Sequence, residues 1–329
     1  DENQLAIEAV HFLESLFTAE PCLGSWDTLD VIPKIISHEQ NEELVRVLSL
    51  EEIREVVFAM DGESAAGPDG FTGRFFTFAW DVVAKDVYEA VGSFFCGAEV
   101  PKSIISTLVM LIPKVSAPQD FSQFLPISLC NVNNKVRSKV LAVRLAKVLP
   151  CIISPRQSGC VKGRQIFDNF LLAQDIVSGI GKPSRGGNIV LKLDMVKAYD
   201  RVSWLFLLQV LRRFGFSEVW IDMVWWLISN VWFLVIINGV PQGFFKSGQG
   251  IRQGDPLLPS LFVIGAEVLS RLLNSLIGQW GFVPFKVPLG CPVVTHLAYA
   301  NDVIIFSSGM KKSLQLIMKA LEDYEMISG

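Results

Sequence analysis

Long helical patterns alternate with short strand-like runs through most of this chain of 329 residues, and no internal repeat or low-complexity tract interrupts them. Such alternation predicts an α+β or mixed fold. Half of the residues are hydrophobic, so the chain can bury a sizeable core, and its length suits two or three packed subdomains. With 11% aromatic and 19% charged residues, the composition is that of a globular chain.

The apolar spacing predicts where the elements lie. Helical patterns cover residues 73–95, 133–149, 166–179, 203–229, 260–277 and 311–327, and strand-like runs cover 108–112, 189–193, 233–237 and 303–306. Asn238-Gly239 is predicted to form a hairpin tip between the third of these runs and residues 243–246. The first sixty residues are also predicted to be helical, with a capping box between Ser49 and Glu52.

The net charge of −4 is divided unevenly along the chain. Residues 1–63 carry 15 acidic and 3 basic residues, whereas the remainder carries 26 basic and 18 acidic ones. The stretch 121–167 has no Asp or Glu and eight bases: Lys135, Arg137, Lys139, Arg144, Lys147, Arg156, Lys162 and Arg164. This stretch suits a phosphate backbone, and the alternative is a solvated helix face.

The mean hydropathy of +0.40 raises the question of a membrane segment, for which Met223–Ile237 is the best candidate. Ser229 and Asn230 interrupt it, and it is shorter than a spanning helix, so we expect a buried helix end followed by a strand. The N-terminus lacks a signal-peptide pattern, and the six cysteines show no paired spacing. We therefore expect an intracellular protein, nuclear or cytoplasmic, that is neither secreted nor bound to a membrane.

The first candidate element for chemistry is a carboxylate at the end of a strand-like run. Asp194 follows the apolar run 189–193, and ligand sites form at the carboxyl edges of such strands. Asp200 comes six residues later, directly after Tyr199. The competing interpretation is an ordinary turn that leads to a helix capped by Ser203.

The second element is the stretch Tyr299-Ala300-Asn301-Asp302, which lies between apolar residues on both sides. Polar residues at the tip of an otherwise buried hairpin need a reason. The alternative reason is conformational, because Asn and Asp tolerate the left-handed backbone of tight turns.

The third element is the glycine-rich loop 249–257, which precedes a predicted helix. Gly254 lets the backbone approach a ligand closely, Gln253 suits contact with a base or sugar, and Arg252 offers a planar donor to phosphate. A plain connection into a helix start is the competing interpretation.

Together, in this order and spacing, the three elements resemble the reverse-transcriptase palm of non-LTR retrotransposons, particularly the plant elements. Further matching stretches extend the resemblance over nearly all of the chain. They are Gly67-Pro68-Asp69-Gly70-Phe71, Leu111-Ile112-Pro113-Lys114-Val115, Pro126-Ile127-Ser128-Leu129-Cys130-Asn131, Ser138-Lys139-Val140-Leu141-Ala142, Gln157-Ser158-Gly159, Gly163-Arg164 and Asp168-Asn169.

The resemblance implies an RNA-directed DNA polymerase that uses two Mg²⁺ ions for in-line transfer of a nucleotide to a primer 3′-hydroxyl. Its partners would be an RNA template, a DNA primer and deoxynucleoside triphosphates, whereas the sequence does not indicate an oligomeric state. By resemblance, Asp194 and Asp302 are metal ligands together with the backbone carbonyl of Met195. Tyr199 would stack under the incoming sugar as the gate against ribonucleotides.

The same resemblance implies further contacts outside the metal ligands. Arg164 and Lys114 would contact the triphosphate or the template from the fingers. Gln253 and Gly254 would position the template–nucleotide pair, beside the phosphate donor Arg252.

Two positions depart from the family pattern. The hairpin motif reads aromatic-Ala-Asp-Asp in the family, and Asn301 stands at the first Asp, so it keeps an oxygen but loses the charge. Leu125 stands where relatives have Arg before Pro-Ile-Ser-Leu, which removes a phosphate contact. Both changes predict impaired or absent polymerisation, and the alternative function is that of a non-catalytic RNA-binding remnant of a retroelement.

The implied architecture is α+β, with the fingers and palm of a right-hand polymerase, an antiparallel palm sheet packed on helices, and no thumb. We expect an acidic helical region at 1–63, a fingers-like region at 64–188 and a palm-like region at 189–329, with the reverse transcriptase domain at roughly 100–329. The whole interpretation requires Asp194 and the hairpin at residues 301 and 302 to converge on one cation pocket.

Overall fold

A computed structural model of the chain describes residues 2–19, 22–288 and 290–329. The helices are α1 Glu2–Leu16, α2 His38–Val45, α3 Leu50–Phe58, α4 Gly73–Phe78, α5 Trp80–Phe95, α6 Lys102–Ile105, α7 Val132–Leu145, α8 Leu149–Ile152, α9 Ile166–Ser178, α10 Ala198–Arg201, α11 Trp204–Phe214, α12 Glu218–Ser229, α13 Leu258–Ser275 and α14 Lys311–Ser328. The strands are β1 Ser106–Pro113, β2 Phe124–Cys130, β3 Asn188–Asp194, β4 Trp232–Ile237, β5 Val240–Lys246, β6 His296–Tyr299 and β7 Asp302–Ser308.

The strands form two sheets, so the fold is a mixed α/β arrangement. One sheet has the order β2-β1-β4-β5, in which β1 and β4 are parallel and the other neighbours are antiparallel. The other sheet has the order β3-β7-β6 and is antiparallel throughout. The expected antiparallel sheet is thus present, but it is accompanied by a second, mixed sheet that joins residues 106–130 to residues 232–246.

The main core lies where α11, α12 and α13 pack together. Phe206, Phe214, Trp220, Val263 and Ile264 are fully buried there. Full burial of a large apolar side chain stabilises a fold by about 1.5–3 kcal/mol. These helices therefore provide the rigid support beneath the loops and strand ends that carry the polar residues.

The helix predicted over residues 203–229 is two helices in the structure. Gly215 ends α11 in the left-handed conformation, with φ of 94°, and glycine adopts this conformation without steric cost. Ser217 then caps α12 by accepting a hydrogen bond from the backbone N–H of Trp220. The uninterrupted apolar pattern concealed this break.

The segment Met223–Ile237 forms the end of α12 followed by β4, as the sequence predicts. Among the described residues, one helical segment is long and apolar enough to cross a membrane, Leu258–Gly278, and 61% of it is buried inside the protein. That burial is typical of a core helix, which passes the same test of length and composition.

Glu52 has a different partner from the one that the predicted capping box gives it. Ser49 does accept a hydrogen bond from the backbone N–H of Glu52, at 3.1 Å. The Glu52 carboxylate, however, accepts two hydrogen bonds of 2.9 Å from the guanidinium of buried Arg144. The predicted box is therefore only half formed, and a complete capping box lies at Ser37 and Gln40 before α2.

Neither interpretation of the basic stretch 121–167 holds for its buried arginines. Arg137 and Arg144 are 2% and 1% exposed, so they are unable to reach a phosphate backbone or to lie on a solvated face. Lys147 is exposed but pairs with Glu43 at 2.9 Å. The acidic N-terminal region thus neutralises part of this stretch in space, although the two are far apart in sequence.

Candidate active site

The end of β3 and the start of β7 bring two carboxylates together. Asp194 pairs directly with Asp302 in the antiparallel register of the two strands. Directly opposite residues of such a pair lie on one face of the sheet, with Cβ atoms about 4.5–5.5 Å apart. The expected convergence of Asp194 with the hairpin is therefore observed.

The turn of this hairpin is the two-residue connection Ala300-Asn301 between β6 and β7. Its left-handed residue is Ala300, with φ of 51°, whereas Asn301 does not have a positive φ. The conformational explanation for Asn301 is therefore wrong, because a residue with a Cβ and no polar group carries the strained backbone. Asn301 is instead part of the pocket beside Asp194.

A buried glutamine holds the hairpin turn from behind. The side-chain amide of Gln157 accepts a hydrogen bond from the backbone N–H of Ala300 at 2.8 Å and donates one to its carbonyl at 3.1 Å. The same oxygen accepts a hydrogen bond of 2.8 Å from the N–H of Gly159. A Cβ on Gly159 would lie 2.5 Å from the Ala300 nitrogen, so only glycine allows this close approach.

An open pocket of about 580 Å³ lies beside Asp194, within the usual size range of ligand sites. Asp302, which pairs with Asp194 in the sheet, does not line this pocket. The pocket gathers several of the residues that the sequence predicts for the site. They are Lys114, Asp194, Met195, Tyr199, Gln253 and Asn301. Leu125 also lines the pocket, so an arginine at that position would face the same space.

Tyr199 and Lys197 form one wall of the pocket. The Tyr199 ring packs on Phe262 with ring centroids 4.5 Å apart, and burial raises the pKa of its hydroxyl. Lys197 adopts the left-handed conformation with φ of 52°, and its Nζ lies 4.3 Å from the ring centre of Phe12. Phe12 belongs to α1, so a helix of the acidic N-terminal region contributes to the site, which the sequence did not indicate.

Gln253 is held by a buried carboxylate. Its Nε2 donates a hydrogen bond of 2.8 Å to Oδ1 of Asp200, which is 3% exposed. Burial raises the pKa of Asp200 to about 6, against the lowering effects of the Gln253 hydrogen bond and of the charges on Lys197 and Lys114. The next residue, Gly254, is exposed and has φ of 105°, which suits glycine alone.

The two arginines predicted to contact phosphate bind other protein groups in this structure. Arg252 is 6% exposed, and its guanidinium pairs with Asp255 at 2.9 Å and donates to the carbonyl of Leu227. Arg164 donates to several backbone carbonyls, including that of Gln157 at 2.7 Å, and it lines a different cavity. Both arginines hold loops in place, so their donors do not face the pocket.

The donor set of the site suits a divalent cation. Asp194, Asp302 and the backbone of Met195 supply the carboxylate and carbonyl oxygens that Mg²⁺ prefers. Two like charges directly opposite each other are destabilising without a counter-charge, and Lys192 provides one, with its Nζ 3.5 Å from Asp302. Within the described ranges, no group of three or more His, Cys, Asp or Glu side chains is arranged to hold a metal ion.

Comparison with known proteins agrees with this geometry. Residues 112–326 match the reverse transcriptase (RNA-dependent DNA polymerase) family. The transposon TX1 uncharacterized 149 kDa protein of Xenopus laevis is 30% identical over 315 residues, which is 94% of this chain and 23% of that protein. A Pol polyprotein from the type-1 retrotransposable element R2 of Nasonia vitripennis is 25% identical over 283 residues, or 85% of this chain and 26% of that protein.

A shorter likeness exists to an uncharacterized mitochondrial protein of Arabidopsis thaliana. It is 40% identical over 75 residues, which is 23% of this chain and 62% of that protein. The family match covers more than half of the chain, and the chain therefore belongs to the reverse transcriptase family. It spans about a quarter of the length of the TX1 and R2 relatives.

Proposed function

We propose that this chain is the RNA-directed DNA polymerase domain of a plant non-LTR retrotransposon, in a copy whose catalysis is impaired. The pairing of Asp194 with Asp302, beside an open pocket that Asp194 and Asn301 line, carries the proposal. The partners would be an RNA template, a DNA primer and deoxynucleoside triphosphates. The architecture would be fingers at 64–188 and palm at 189–329, preceded by the acidic helical region at 1–63.

The chain's own residues would bind the reactants and hold them in line. Asp194, Asp302 and the Met195 carbonyl would hold two magnesium ions, which when bound activate the primer 3′-hydroxyl and stabilise the leaving pyrophosphate. The two carboxylates lie at strand ends that the β3–β7 ladder fixes opposite each other, and a bound cation would replace Lys192 as the counter-charge of Asp302.

The walls of the pocket would position the nucleotide. Tyr199, supported by Phe262, would lie under the sugar and exclude a 2′-hydroxyl. Lys114 is exposed at the pocket and would attract the triphosphate, while Gln253 would contact the base or sugar. The expected contribution of Arg164 and Arg252 is indirect, through the loops that they hold.

Asn301 is the reason to propose impairment. It lines the pocket beside Asp194, where a carboxylate would add a third negative charge. Loss of supporting groups around a metal ligand costs about 10- to 100-fold in affinity or activity, and loss of a ligand carboxylate should cost at least as much. Leu125, which lines the same pocket, would add the loss of a phosphate contact.

A second candidate function is a non-catalytic RNA-binding remnant. Asn301 and Leu125 favour this candidate, because both departures from the family pattern lie in the pocket. The buried core and the hydrogen bonds by which Gln157 clamps the hairpin turn are intact. This candidate predicts RNA affinity that falls steeply with salt, because contacts to phosphates release counter-ions.

Primer extension on an RNA template, with Mg²⁺ or Mn²⁺, distinguishes the two candidates. We expect the Asn301→Asp variant to extend the primer at least 10-fold faster than the chain itself, in line with the cost of a lost ligand. Asp194→Asn in the Asn301→Asp background is the matched control, and it should abolish extension. Equal extension by the chain and its Asn301→Asp variant would show that Asn301 is not the defect.

A further inference from the structure

Asp200 is a buried carboxylate for which the two-metal mechanism gives no role. It lies on α10 at the back of the pocket, 3% exposed, and it is not a partner of Asp194 or Asp302. Burying a carboxylate is costly unless its oxygens are satisfied by donors. The structure gives its side chain one hydrogen-bond partner among the described residues, the amide of Gln253 at 2.8 Å.

The carboxylate is not needed to hold the loop that carries Gln253. That loop is already bound to α10 and the residue after it by backbone hydrogen bonds. The N–H of Ile251 donates to the Tyr199 carbonyl at 2.8 Å, and the N–H of Gly250 donates to the Val202 carbonyl at 2.9 Å. A structural role in docking the loop would therefore leave the buried charge unexplained.

The Asp200–Gln253 hydrogen bond fixes which end of the amide faces the pocket. An ionised carboxylate only accepts hydrogen bonds, so it selects the amide nitrogen of Gln253 and excludes its oxygen. No described residue donates to Oε1 of Gln253, whereas Gln253 itself lines the pocket beside Tyr199. The amide oxygen is thus the end that is left for a ligand.

We propose that Asp200 is a positioning residue that locks the Gln253 amide with its oxygen towards the pocket, so that the site recognises a hydrogen-bond donor on the incoming nucleotide. That the ligand is an incoming nucleotide rests on the proposed polymerase function. In dATP two groups are such donors, the 3′-hydroxyl of the sugar and the exocyclic amino group of the base. A site with the amide reversed would instead favour an acceptor such as a base carbonyl.

The lock itself is tested without a ligand, by side-chain amide resonances of the chain labelled with ¹⁵N-glutamine. The Gln253 signal is assigned by its loss in Gln253→Met. The Gln253 amide resonance should shift as pH crosses about 6, because protonated Asp200 no longer fixes the amide. The charged groups that face Asp200 are Lys197 and Lys114. The shift should vanish in Asp200→Asn, and a signal that is unchanged from pH 5 to pH 8 would refute the proposal.

The recognition is tested by nucleotide affinity in a complex of the chain with an RNA template and a primer that ends in a dideoxynucleotide. In this complex no bond forms. Asp200→Asn lets the amide adopt either orientation, and we expect dATP affinity to fall about 3- to 10-fold, the value of one hydrogen bond. In the Gln253→Met background, Asp200→Asn should not lower dATP affinity further. If it lowers dATP affinity there as much as in the unchanged chain, Asp200 has only a structural role and the proposal is wrong.

Two analogues identify the donor. An affinity loss with dideoxy-ATP that disappears in Gln253→Met assigns the 3′-hydroxyl. A loss with the purine analogue that lacks the 6-amino group assigns the base only if that loss is also smaller in Gln253→Met, since the analogue pairs more weakly with the template as well. If the chain binds both analogues as tightly as dATP, the site does not recognise a donor and the proposal is wrong. Failure to bind template–primer at all would refute the proposed function, while the amide titration would still decide whether Asp200 locks Gln253.

Discussion

Replacement of Gln157 by alanine should loosen the hairpin that carries Asn301 and Asp302. The Gln157 amide makes three hydrogen bonds, two to the backbone of Ala300 and one from the N–H of Gly159, and it is 3% exposed. Each such bond contributes about 0.5–1.5 kcal/mol net, so their joint loss should lower the free energy of unfolding by about 2–4 kcal/mol.

Urea unfolding followed by circular dichroism measures this change directly. Gln174→Ala is the matched control, since Gln174 is an exposed glutamine on α9, and it should change the stability by less than about 0.5 kcal/mol. Gln157→Glu should also be destabilising relative to the control, because a carboxylate is unable to donate to the Ala300 carbonyl and places a second acceptor against it. If Gln157→Ala is no more destabilising than the control, the clamp does not support the hairpin.

Three further predictions concern other parts of the chain. The pKa of Asp200 is raised to about 6 from the ordinary value of 3.8, so its stabilising contribution is complete below pH 3.8 and is lost as pH rises through 6. The stability of Asp200→Asn, compared with that of the unchanged chain, should therefore be up to about 3 kcal/mol more favourable at pH 8 than at pH 3.5. Thermal melts in which the variant differs from the chain equally at both pH values would contradict this. Leu125→Arg in the Asn301→Asp background should tighten nucleotide binding about 10- to 100-fold, through a charged hydrogen bond to phosphate, and an unchanged KM in primer extension would count against it. Glu52→Gln should cost about 3–5 kcal/mol, because it leaves Arg144 buried without its counter-ion, and a loss below 1 kcal/mol on urea unfolding would disprove the pairing.

Much of the fold could be predicted from local patterns. The hairpin tip at Asn238-Gly239 is confirmed, since both residues have positive φ, as a two-residue turn requires. The strand β2 was missed because it contains Pro126, which argues against a central strand; β2 lies at the edge of its sheet, where a missing donor is tolerated.

The candidate site was predictable only in part. Asp194 and Asp302 end and begin apolar strands, so the sequence pattern itself indicates their meeting. The contacts of the arginines could not be predicted in this way, because a long arginine side chain binds partners that are far away in sequence. Arg252 reaches the carbonyl of Leu227 and Arg144 reaches Glu52, and no local pattern encodes either contact.

The role of Gln157 was hidden for a related reason. Its stretch was recognised only as a likeness, since a glutamine between a proline-containing turn and a glycine has no local signature of its own. Its function depends on the hairpin turn at Ala300, 143 residues further along the chain. The contribution of α1 to the pocket was hidden in the same way.

Direct measurement of Mn²⁺ binding, by the electron paramagnetic resonance of free Mn²⁺, tests whether Asp194 and the hairpin form one cation site weakened by Asn301. We expect Asn301→Asp to bind Mn²⁺ at least 10-fold more tightly than the chain itself, and Asp194→Asn to abolish that gain. Equal Mn²⁺ affinity in the chain, in Asn301→Asp and in the double variant would mean that these residues do not share a cation.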